Sequence, residues 1–539
     1  MQKAIISFVF LLYLGADAQT HFTQQDTLRG SITKERAWWD VVHYDLNVRV
    51  FPKTKSIVGR NTIFYKVLKP YQTLQIELQQ PLVIDSILQN QQKLSFQAKG
   101  YSYFIKLKKE QKVHQTEELH IYYHGIPKEA IKAPWDGGFV WSSDHNQQPF
   151  IATANQSIGP SVWWPCKDHP YDEPSSANIT ITCPSNLQNI SNGRNTKTVV
   201  NTNGTTSYTW QVKNPINNYG ISINIANYTH FSEVYHGEKG ALDCNYYVLK
   251  ENETKAKTHF KDATRMLQAF EYWMGPYPFY EDGYKIVEVP YLGMEHQSCV
   301  AYGNQYKKGY LGHRMGTSTW SDTFDFIIIH ESGHEWFANN ISCSDVADLW
   351  IHEAFTSYSE SLFLDYHYGT KAANEYVQGL RSSVKNDKPV LGIFHVHHEG
   401  SMDMYPKGSL MLHTLRQIID DDILWRKMLR GLGSEFYHQT VNGKQIIDYL
   451  DAYTKVDLQP FFKHYLTTTT IPKLLLKTKG NKILYKWENV VKGFKIPVKA
   501  TLNNKTIWLH PSDKKWKKLK GNSQELKIDP NFYIDVILE

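Results

Sequence analysis

The sequence predicts a multidomain α+β protein: an N-terminal all-β domain of saddle or sandwich type, a central mainly-α domain and a small C-terminal β domain. Three observations predict it. At 539 residues the chain is too long for one ordinary core. Apolar residues alternate with period two towards both ends and recur at helical spacing between them. The composition, 41% hydrophobic and 14% aromatic, is that of a chain able to bury such cores.

Taken in order, residues 1–18 read as a signal peptide. Lys3 supplies the positive end, Ala4 to Leu14 is apolar, and Ala16-Asp17-Ala18 is a cleavage site. A secreted or periplasmic mature chain is expected. The leader is too short to span a bilayer and no later run is long enough, so no stable membrane span is expected in the mature chain. Residues 19–230 form the expected β domain. Tyr44, Leu46, Val48 and Val50 alternate with polar neighbours, as do Leu74, Ile76 and Leu78, with turn signals such as Asn203-Gly204.

Residues 231–455 form the expected central domain. Phe260, Ala263, Met266, Leu267, Phe270 and Trp273 fall on one helical face, and the pattern stops at Gly275-Pro276. A linker is expected over 456–471, marked by the Thr467 to Thr470 run. Period two returns over 472–539 in Phe494, Ile496 and Val498 and in Phe532, Ile534 and Val536. Lys514 to Lys520 cluster around Trp516, as a solvated hairpin or a binding patch. The net charge of +6 is small, and no nucleic-acid motif or partner is found. Five cysteines include no C-x-x-C pair and are expected as buried thiols.

The chemistry centres on FDFIIIHESGHEWFANN, Phe324 to Asn340. His330 and His334, four residues apart on a helix, leave the same face and can share one Zn²⁺. Glu331 is one residue off that face, close enough to a water at the metal to act as general base. A metzincin would need Gly and His at the places held by Phe337 and Asn340. Instead, Glu353 in LWIHEAFTSY follows an 18-residue gap on a second helical segment. Two histidines, one carboxylate and an open fourth position make a catalytic zinc site.

These residues resemble the gluzincin aminopeptidase family, which includes aminopeptidase N and leukotriene hydrolase, and the spacing to Glu353 is the family's own. Thermolysin itself uses a gap one longer, which would fall on Ala354. Three further stretches carry the resemblance: ATANQSIGPSVWWPCKDHPYDEP with Gln156, GPYPFYEDGYKIVEVP leading to Gly293-Met294-Glu295, and YPKGSLML with Tyr405. The resemblance implies a thermolysin-like central domain and a secreted zinc aminopeptidase acting on peptides with a free N-terminus. It assigns Glu295 to the α-ammonium with Gln156 beside it, the Gly293 backbone to the substrate, and the Tyr405 hydroxyl to the oxyanion. Leu292 and His296 depart from the family's Gly and Asn, which puts the groove beside Glu295 in question. The C-terminal part is short for the large helical domain that many members carry. Two alternatives stay open: an epoxide hydrolase/aminopeptidase like leukotriene hydrolase, and a non-catalytic zinc-binding scaffold.

Overall fold

The alternation at Tyr44, Leu46, Val48 and Val50 becomes the strand Trp39–Phe51, with all four side chains buried. The structure, a computed structural model, describes residues 21–539, so the expected leader lies outside the described residues. Trp39–Phe51 pairs antiparallel with Ser56–Val67 and parallel with Ser176–Pro184, at the centre of an eight-stranded sheet. A four-stranded sheet contains Pro149–Ala154, and a three-stranded sheet contains Thr73–Glu77. One apolar core joins the inner faces of these sheets, which is how period-two strands hide their apolar side.

The second sheet system begins at Tyr228. Strands Tyr228–Gly237, Gly240–Leu249, Tyr284–Glu288, Val300–Tyr302 and Gly293–Met294 form it in that spatial order, so Gly293–Met294 is an edge strand. The boundary expected at 230 therefore falls inside the first of these strands. Helices cover the sheet. Lys261–Met274 buries Ala263, Met266, Leu267, Phe270 and Trp273 and stops at Gly275, whose φ of 97° suits only glycine.

The histidine helix is shorter than its apolar flanks suggest. It runs Phe326–Gly333, started by Asp325, whose side chain accepts from the Ile328 N–H. His334 keeps right-handed helical geometry (φ −63°, ψ −17°) as the capping residue; Trp336 and Phe337 lie in the turns beyond. The second helix, Trp350–Tyr368, carries Glu353 in its first turn, and a third, Pro406–Ile419, follows Tyr405.

The stretch 456–471 is not a free linker. It contains the helix Gln459–Thr467, which buries Phe461, Phe462 and Tyr465 in the core of the central domain. Their i, i+1, i+4 spacing marks one buried helical face. Beyond it, two small sheets contain Lys473–Lys479 and Val498–Leu502, and their inner residues join the same core. All five cysteines are buried and unpaired. Among the described residues no helix is long and apolar enough to cross a membrane.

Candidate active site

The three expected metal ligands converge. Donor atoms of His330, His334 and Glu353 lie within 4.8 Å of one another, and all three side chains are buried. Glu353 Oε2 is 3.7 Å from His330 Nε2 and 3.4 Å from His334 Nε2. Among the described residues it has no hydrogen-bond partner although it is buried. An orphaned carboxylate oxygen facing two imidazole nitrogens is a polar arrangement that a cation completes.

The far side of each imidazole is fixed. His330 Nδ1 is 2.8 Å from Glu360 Oε1, and Tyr376 donates to the other oxygen of Glu360. His334 Nδ1 is 3.0 Å from the Phe337 carbonyl, to which Thr356 also donates. Because these partners accept, each Nδ1 carries the proton and each Nε2 is left with a lone pair for a metal. Burial pushes Glu353 up, but where no cation is bound both imidazoles are themselves pushed up towards the protonated form, and their charge holds the Glu353 carboxyl well below the usual range; a cation takes the place of those protons. The donor set thus fits Zn²⁺ in type, number and tautomer.

Glycines bring the elements close enough. A Cβ on Gly293 would stand 2.7 Å from Ile327 Cγ2 and 3.0 Å from Glu331 Oε1. Only glycine lets the edge strand lie against the histidine helix at this point. A Cβ on Gly408 would meet Ala354 Cβ at 2.5 Å, so the helix after Tyr405 crosses the Glu353 helix in direct backbone contact.

A cavity of about 300 Å³ opens over these groups. Gln156, Gly293, Glu295, Glu331, Tyr405 and the three ligands all line it. Gln156 Nε2 donates to Glu295 Oε1 at 2.7 Å and to Glu353 Oε1 at 3.1 Å, tying the β domain to both carboxylates. Burial pushes Glu331 up to about 7; Glu295 adds to this and the imidazoles oppose it. The Tyr405 ring stacks 5.8 Å from that of His330. Its hydroxyl is held well above the usual phenol range by burial and by Glu353, Glu295 and Glu331, so it remains a neutral donor.

Two features were not anticipated. Tyr219, from the β domain, donates to Glu295 Oε1 at 3.0 Å, and nothing in the local sequence signals it. Glu360 was legible: seven residues past Glu353 on one helix, it lies on the same face. His296 is fully buried, lines no part of the cavity, and among the described residues has no partner on either ring nitrogen. Burial pushes it down to about 3, so it fills the place as a neutral ring.

Family models match residues 41–219, as the Peptidase M1 N-terminal domain, and residues 259–465, as the Peptidase family M1 domain. The chain belongs to peptidase family M1. Among curated relatives, endoplasmic reticulum aminopeptidase 1 of Homo sapiens is 22% identical over 61% of this chain and 35% of its own length. Probable aminopeptidase 2 of Sulfurisphaera tokodaii is 20% identical over 82% of this chain and 57% of its own. The chain thus spans about a third to somewhat over half of these relatives.

Solved M1 structures show the same fold. An M1 zinc metallopeptidase from Deinococcus radiodurans matches with TM-score 0.67 at 19% identity, covering 80% of this chain and 94% of that one. A mutant of that M1 zinc metallopeptidase, bound to a Tyr-Ser-Ala substrate, matches with TM-score 0.67 at 18% identity over 81% and 96%. Zinc is the cofactor that family M1 and this donor set jointly specify.

Proposed function

We propose that this chain is a zinc aminopeptidase that hydrolyses the N-terminal bond of peptides and acts outside the cytoplasm. One observation carries the reading. The buried Glu295 carboxylate, held from behind by Tyr219 and flanked by Gln156, lines with Gln156 the same cavity of about 300 Å³ as the three-donor cluster and Glu331. A second grouping, Glu295, Glu331 and His334, also has its donor atoms within 4.8 Å. An α-ammonium bound at Glu295 therefore leaves only the first residue's length before the reacting carbonyl, which limits cleavage to the terminal bond. Epoxide hydrolysis alone would give Glu295 no charge to neutralise. Secretion rests on the leader read in Lys3 to Ala18.

When bound, zinc supplies a water of lowered pKa and polarises the scissile carbonyl. Glu331 takes the attacking water's proton and returns it to the departing amine. The Tyr405 hydroxyl donates to the developing oxyanion, and as a neutral group it costs no repulsion in the ground state. The edge position of Gly293–Met294 offers backbone groups to an extended peptide. Cavity walls from Leu292, Tyr310, Phe326, Leu380 and Met402 suit an apolar first side chain.

The test is turnover of a panel of aminoacyl arylamides by the zinc-loaded chain. Hydrolysis of free-amine substrates and none of their N-acetylated forms is expected. Equal cleavage of the two removes the exopeptidase assignment.

A further inference from the structure

The C-terminal sheets carry a charge that the catalytic cavity does not use. Residues 472–539 hold fifteen lysines, no arginine and six acidic side chains, a net of +9. Because the whole chain is +6, the remaining residues stand at −3.

The register concentrates this charge on one face. Lys482 lies opposite Lys479 on one neighbouring strand and opposite Lys520 on the other. Leu484, two residues on, lies between Lys477 and Lys518 in the same way, and Lys486 follows on that face. The Trp516 ring sits on the same face beyond the second row, 4.0 Å from Lys477 Nζ and 5.0 Å from Lys486 Nζ. Like charges directly opposite destabilise a sheet, so this arrangement opposes the fold that carries it. Of these six lysines only Lys477 is in an ion pair among the described residues, with Glu539 at 3.3 Å. The other face, with Leu474, Leu476, Ile483, Tyr485 and Trp487, is buried in the core shared with the catalytic helices.

We propose that this lysine face docks the protein on an anionic membrane surface. Three observations select a lipid surface over a polymer or a shaped ligand. The charges form a plane, with strands about 4.8 Å apart and same-face residues about 6.7 Å apart, and a plane of charge complements a plane of charge. All are lysines, point charges without the fork that grips one phosphate in a fixed geometry. Ile537, on this face opposite Leu475, is 40% exposed. With Trp516 it gives the charged plane an apolar border that can enter the headgroup layer.

The experiment is vesicle flotation of the full, zinc-loaded chain. The wild type is expected to float with phosphatidylcholine vesicles containing phosphatidylserine, to stay behind with pure phosphatidylcholine, and to be released by molar salt. A variant carrying Lys479→Gln, Lys482→Gln, Lys518→Gln and Lys520→Gln is expected to lose at least about a hundredfold in partition, at roughly fivefold per lysine. Its melting temperature should equal or exceed that of the wild type, because the cross-strand repulsion is relieved; this separates lost docking from lost folding. Equal flotation with neutral vesicles, or unchanged flotation of a folded variant, overturns the proposal. So does binding to soluble dextran sulfate with none to anionic vesicles, which would make the face a polyanion site.

Discussion

The two halves of the cavity are built in opposite ways. The metal half, His330, His334 and Glu353, comes from adjoining helices within one domain and a short span of sequence. Its supports, Glu360, Tyr376, Thr356 and the Phe337 carbonyl, belong to that same domain. The half proposed to take the substrate's amine joins Glu295, just past an edge strand, to Gln156 and Tyr219 from the β domain. The first half is a local unit that folds with its helices. The second exists only when two domains dock, and its precision depends on that interface.

The largest expected effect probes the metal half as a unit. Chelation of zinc should abolish turnover and lower the melting temperature, since the buried Glu353 carboxylate then faces the two imidazoles, with Glu295 and Glu331 beside His334, and only protons remain to neutralise them. A chelated protein with unchanged melting would show the cation to be dispensable to the cluster. Next, Glu331→Gln should keep full zinc content by elemental analysis and lose about a thousandfold in kcat. Zinc loss in this variant would place Glu331 among the ligands.

The amine half should respond differently. Glu295→Ala should cost about a hundredfold in kcat/KM on free-amine substrates with zinc retained, because an α-ammonium would enter a buried site without its counter-charge. Gly408→Ala tests the backbone contact behind Tyr405. Its Cβ would stand 2.5 Å from Ala354, and the forced separation should cost about 1–3 kcal/mol in denaturant melts, with turnover reduced as Tyr405 shifts. The smallest effect belongs to Tyr219→Phe, which removes one hydrogen bond from Glu295. About 1 kcal/mol, or roughly fivefold, should appear in KM with kcat and zinc content unchanged. A change in zinc content there would mean that the two halves are coupled more tightly than their separate origins suggest.

What was legible in the sequence follows from periodicity and fixed spacing. His330 and His334 had to share a face because a helical turn is 3.6 residues, even though the helix proper ends at Gly333. The β character of both ends followed from period two, and Glu353 followed from its 18-residue gap on a second helical segment. The threonine run gives 456–471 the composition of a linker, but Phe461, Phe462 and Tyr465 anchor a buried helix there.

By itself, then, the sequence determined which helix faces and strand faces are apolar, and so which residues of a short motif point together. Only the tertiary structure decided that Tyr219 reaches Glu295, that Gly293 and Gly408 are needed for close approach, and that lysines from three strands form one plane. The physical reason is range. Dihedral preferences and side-chain periodicity act over a few residues and are written locally, whereas strand register and domain docking are set by the burial of whole surfaces.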